Sequence, residues 1–77
     1  MRTFAEVIKD IKATWSKPYF GAVPYMDALG TINSSDKHAR YLYETAEDLV
    51  PYLLSNMTTF RGADARRLKA ELKDMIK

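Results

Sequence analysis

The residue types able to do chemistry are few and scattered. His38 is the only histidine, and the chain has no cysteine. Beside Ser34 and Ser35 it has the atoms for nucleophilic catalysis. That chemistry needs a base held against the hydroxyl and oriented by a further group, and nothing near His38 in the sequence supplies one. A zinc site needs three or four convergent ligands, so His38 is expected at the surface, with no metal or other cofactor. Glu47 and Asp48 are adjacent, and adjacent side chains on a helix point in different directions. No glycine-rich phosphate loop is present. Asn56-Met57-Thr58 has the form of a glycosylation sequon, which is without meaning unless the chain is secreted. The expectation is a protein without catalytic machinery.

Two patterns suit binding instead. The stretch Trp15-Ser16-Lys17-Pro18-Tyr19-Phe20-Gly21-Ala22-Val23-Pro24-Tyr25 carries far more aromatic area than a connector needs. General burial tendencies favour its rings folding over the molecule to complete a small core. The sharper alternative is an exposed, proline-stiffened patch, because aromatic residues dominate interface hot spots and rigidity lowers the cost of binding. On that reading Trp15, Tyr19, Phe20, Tyr25, Phe60 and Arg61 contact a protein partner. The second pattern is a basic stripe, Arg66, Lys69, Lys73 and Lys77, extended by Arg61. Asp64, Glu71 and Asp74 are interspersed, with Arg67 and Glu71 spaced to pair, so a solvated helix face is the ordinary reading. The alternative is a grip on nucleic-acid phosphates, which neutralises charge without reading sequence.

The elements that position these residues are helical. Thr3 and Glu6 form a capping box ahead of Phe4, Val7, Ile8, Ile11 and Trp15, which recur on one face and predict a helix over 4–15. Lys17-Pro18 stops it. Pro24 suits the first turn of a second, short helix over 23–31, which Gly30 weakens. Asn33-Ser34-Ser35-Asp36 reads as a turn. Ala39, Leu42, Ala46, Leu49, Val50, Leu53 and Leu54 keep helical phase and predict a third helix over 37–55, bent or split at Pro51, with Arg40 and Glu44 paired at i,i+4. Residues 56–62 read as a loop in which Asn56 closes the third helix and Thr58 or Thr59 caps the fourth. Ala65, Leu68, Leu72, Met75 and Ile76 predict that fourth helix over 63–76. The fold class is therefore all-α, a compact bundle of three to four helices in one domain spanning 1–77.

Bulk properties agree with a small ordinary domain. A chain of 77 residues has room for one core. A net charge of +2 and a pI near 9.0 are too mildly basic to imply a nucleic-acid partner by themselves. Residues 27–48 are mostly acidic and those from Arg61 mostly basic, so the two regions can pack beside each other. Acidic residues enter the first turn of the first helix where a secretory signal would be uninterruptedly apolar. No run approaches the roughly 20 apolar residues of a membrane span. The cytoplasm is the expected compartment.

Two stretches carry a family resemblance. Tyr19-Phe20-Gly21-Ala22-Val23-Pro24-Tyr25-Met26-Asp27-Ala28 is one. Leu53-Leu54-Ser55-Asn56-Met57-Thr58-Thr59-Phe60-Arg61-Gly62, running into Ala65-Arg66 and Glu71-Leu72-Lys73, is the other. Together they resemble small uncharacterised proteins encoded by tailed bacteriophages and prophages, over most of the chain. That pattern often has tryptophan at the position of Phe60 and lacks a proline at Pro51. The resemblance implies a setting, an infected or lysogenic bacterial cell, and no catalytic residues. Phage proteins of this size commonly act by binding a host or phage protein, including host-defence factors. The leading expectation is thus a non-enzymatic accessory protein working by protein–protein contact. A nucleic-acid-binding module using the basic helix is the alternative. A homodimer through the aromatic patch is a third reading, since a short chain gains core by self-association.

Overall fold

A computed structural model describes residues 1–77. Helix α1 (Phe4–Thr14) starts at the capping box: Thr3 Oγ1 accepts from the Glu6 amide at 3.1 Å, and the Glu6 carboxylate accepts from the Thr3 amide at 2.9 Å. The next two free donors are met from elsewhere in the chain. Phe4 N–H donates to the Ser34 carbonyl at 2.9 Å and Ala5 N–H to that of Ile32 at 3.0 Å. Every donor that a helix N-terminus leaves unmade is satisfied here, and the same bonds tie residues 32–34 across the start of α1. Phe4, Val7, Ile8 and Ile11 are buried as the spacing predicts, and Trp15 closes the helix.

A short 3₁₀ turn (Phe20–Ala22) leads into α2 (Val23–Leu29), with Pro24 in its first turn where a missing N–H is harmless. The helix is two residues shorter than predicted. The turn expected at Asn33–Asp36 falls later, at Lys37-His38, where the Ala39 amide donates to the Asp36 carbonyl at 3.0 Å. Residues 33–36 are irregular, their side chains satisfying local amides: Ser34 Oγ accepts from the Asp36 N–H and Asp36 Oδ1 from the His38 N–H.

The third helix departs most from expectation. Residues 40–45 are not helical but form an antiparallel hairpin, β1 (Arg40–Tyr41) and β2 (Glu44–Thr45), joined by Leu42-Tyr43. The fold is therefore mostly helical with a two-stranded ribbon, rather than purely all-α. Arg40 faces Thr45 and Tyr41 faces Glu44, so the expected Arg40–Glu44 helical pair does not arise. The physical reason lies at Thr45, whose hydroxyl accepts from the Asp48 amide and caps α3 (Ala46–Ser55). The next free donors of α3 go back to the preceding segment, Ala46 N–H to the Ala39 carbonyl and Glu47 N–H to that of Lys37. Pro51 lies exposed inside α3, which runs through it without splitting.

Asn56 closes α3 as expected, its Nδ2 donating to the Tyr52 carbonyl at 2.8 Å. Neither Thr58 nor Thr59 caps α4 (Ala63–Met75). The position before it is Gly62 at φ +109°, a conformation side chains rarely adopt, with no side-chain cap. Helix α1 packs chiefly on α4, and α2 on α3. Twenty residues are buried, all of them hydrophobic.

An ion-pair cluster fastens α1 to α4. The Arg2 guanidinium meets Glu71 through two bonds, at 2.6 and 3.0 Å, and reaches Asp10 at 3.2 Å. Arg67 approaches Asp10 and Asp64 at 3.4 Å. The expected Arg67–Glu71 pair is thus replaced by Arg2–Glu71. The acids that balance α4 also come partly from α1 rather than from the acidic middle. The hydrogen bond from Arg2 holds the Glu71 carboxyl below the usual carboxylate range. A depressed carboxylate stabilises the fold above its unfolded pKa, and that contribution disappears as pH falls through the folded value. Glu71→Gln should therefore cost about 1 kcal/mol at neutral pH. In denaturant titrations the gap to the wild type should close as pH drops from about 4.3.

Candidate interaction surface

The structure separates the aromatic residues that the sequence groups together. Trp15 and Phe60 are both buried and stack on each other, ring centroids 5.1 Å apart and planes at 23°. They belong to the core, so neither offers a surface to a partner. Tyr25 is half-buried and stacks on Tyr52 at 5.7 Å. Tyr19 and Phe20 are exposed, their rings 4.8 Å apart. Gly21 beside them is closely approached by side chains: a Cβ there would lie 2.6 Å from the Tyr19 ring and 2.7 Å from Asn56 Oδ1, so both would have to move aside. Arg61 is exposed, with Nε donating to the Thr58 carbonyl.

The strongest surface feature was outside the expected set. The hairpin tip presents Leu42 at 75% and Tyr43 at 94% exposure. Leu42 has φ +58° and is the sole non-glycine residue with positive φ. A two-residue hairpin loop demands positive φ, which glycine or asparagine supplies at little cost. Leucine there is strained by about 1–3 kcal/mol and, being exposed, recovers nothing by burial. Beneath the tip an apolar groove of about 250 Å³ runs between α2 and the ribbon, walled by Pro24, Tyr25, Ala28, Leu49, Tyr41, Leu42, Tyr43 and Glu44. Acidic groups rim it. Glu44, Glu47 and Asp48 line a neighbouring depression with Pro51 and Tyr52, and of the three only Glu47 has a cation partner, Lys37 at 3.5 Å.

The signals for this site were present in the sequence. Thr45 with Asp48 three residues on has the form of a helix start, and Tyr41, Tyr43 and Thr45 are strand-favouring residues. Tyr41 and Tyr43 also fall outside the helical phase of Ala39 and Leu42.

The remaining candidates lie apart from the groove. His38 is exposed in the turn after Asp36, and no group of three or more His, Asp or Glu side chains is placed to hold a metal ion. In the basic stripe, Lys69 is half-buried, with Nζ donating to the Phe60 carbonyl at 2.7 Å. Lys77 pairs with Asp74. Arg61, Arg66 and Lys73 are exposed and form no ion pair. No helix is long and apolar enough to cross a membrane. No family model, curated protein or solved structure matches this chain.

The division of the aromatics sets a direct expectation. Trp15→Ala and Phe60→Ala should each cost about 3–5 kcal/mol in denaturant unfolding. Phe20→Ala and Tyr43→Ala should stay within about 0.5 kcal/mol of wild type.

Proposed function

We propose that this protein is a non-enzymatic binding module that contacts a protein partner through the hairpin face. The observation that carries this reading is Leu42, an exposed leucine held at positive φ beside an apolar groove. Folding alone favours glycine at that position, so a strained and solvated leucine points to a benefit gained outside the isolated fold.

The size of the surface supports the same reading. Tyr41, Leu42, Tyr43 and Tyr52 expose roughly 500 Å² of side chain between them, taking about 200 Å² for a whole aromatic ring. That already matches the largest apolar patch of a typical monomer, about 300–600 Å². Of the aromatic residues expected to meet a partner, Tyr25 lines the groove itself, Tyr19 and Phe20 are exposed at the turn leading into α2, and Trp15 and Phe60 belong to the core. The resemblance to small phage and prophage proteins supports a cytoplasmic accessory role in an infected or lysogenic bacterium, directed at a host or host-defence protein.

Leu42→Gly separates function from folding. The substitution relieves the backbone and should raise stability by about 1 kcal/mol in thermal or denaturant unfolding. It should also abolish capture of the partner from nuclease-treated bacterial lysate. A Leu42→Gly protein that is more stable and still captures the same partner at wild-type yield would remove the hairpin from the interface.

A further inference from the structure

The charges of α4 are sorted by side. On one side every group has a partner: Arg67 lies near Asp64 and Asp10, and Glu71 is held by Arg2. On the other, Arg66, Lys69 and Lys73 follow at three- and four-residue steps, with Arg61 beside them in the preceding loop. None of these four has a carboxylate within ion-pair distance. The chain as a whole carries only +2, so the cluster reflects local sorting rather than a basic composition.

This face is also held in place. Lys69 Nζ donates to the Phe60 carbonyl and lies 5.9 Å from the centre of the Phe60 ring, which is itself stacked on buried Trp15. One cation of the cluster is therefore fixed to the core instead of moving freely in solvent. Burial lowers the Lys69 pKa first, and the charges of Lys73 and Arg61 lower it further. All the charges acting on Lys69 are positive, which describes a site that gains by bringing in an anion.

We infer that Arg61, Arg66, Lys69 and Lys73 bind the phosphate backbone of nucleic acid, on a surface separate from the hairpin face. What the cluster lacks selects this occupant over an acidic protein. No large apolar residue is exposed anywhere on α4, and protein interfaces draw most of their energy from such anchors. Phosphate contacts need none, because charge neutralisation with counterion release supplies the affinity. Arg66 and Lys73 are separated by about 10 Å along the helix, room for a few phosphates. Contacts of this kind fix register without reading sequence. The stripe expected from the sequence is accordingly amended: Lys77 is withdrawn by Asp74, and Lys69 acts from a fixed position.

Fluorescence anisotropy with a short labelled DNA duplex tests the inference across a salt series. Binding at low salt with a log–log salt slope of about −3 is expected for three to four phosphates. Arg66→Ala with Lys73→Ala, still folded by circular dichroism, should weaken binding about tenfold or more and reduce the slope by about two units. Leu42→Gly should bind DNA as the wild type does, which keeps this inference independent of the hairpin reading. No binding at low salt, a slope unchanged in the double variant, or equal displacement by polyglutamate would each overturn the assignment to nucleic acid.

Discussion

A single small core is the constraint on which the rest of this structure depends. All 20 buried residues are hydrophobic, and they do not come from the helices alone. Trp15, Ile32, Met57 and Phe60 lie in connecting segments, yet each is buried. A chain this short cannot build enough core from amphipathic faces, so its connections are drawn inward. The Trp15–Phe60 stack joins the end of α1 to the loop before α4. It therefore controls where the cationic side chains of that loop and helix come to rest.

Against that economy, the large apolar residues left in water stand out. Apart from Met1 at the N-terminus, they lie on the ribbon, on the turn leading into α2 and its first residue, and on α3. The ribbon is not a loose appendage. Its flanking carbonyls accept the first two free amides of α3, and Thr45 caps the third. The helix N-terminus thus needs the hairpin as much as the hairpin needs a base. These bonds tie the ribbon's base to α3, and a tip held from its base is the arrangement that lowers the ordering cost of an association.

Much of this was legible in the sequence and part was not, for identifiable reasons. Helix α1 was readable to within a residue because a capping box and a clean apolar stripe coincide. Helix α4 was readable for similar reasons of periodicity. The stretch 37–45 was misread because Ala39 and Leu42 happen to sit in phase with the true stripe that begins at Ala46. The competing evidence, Thr45-x-x-Asp48 and the tyrosines at 41 and 43, is local and easily outweighed by a long periodic match. Among the aromatics, Trp15 continues the apolar stripe of α1, but nothing in the sequence distinguishes Phe60, which is buried, from Phe20, which is exposed. Periodicity decides burial within a helix, whereas in a connection burial depends on which distant residue arrives opposite. Lys69 illustrates the same limit. Its place in the basic stripe was visible, but its bond to the Phe60 carbonyl depends on how the loop folds back over the core.

The central claim is that the hairpin face, and not the core aromatics or the basic helix, meets the protein partner. Amide hydrogen exchange of the free protein and of its nuclease-treated partner complex tests this most directly. The account predicts slowed exchange over residues 40–45 and the start of α2, with α1 and α4 unchanged. Slowing confined to α4, with the hairpin exchanging as freely as before, would contradict it.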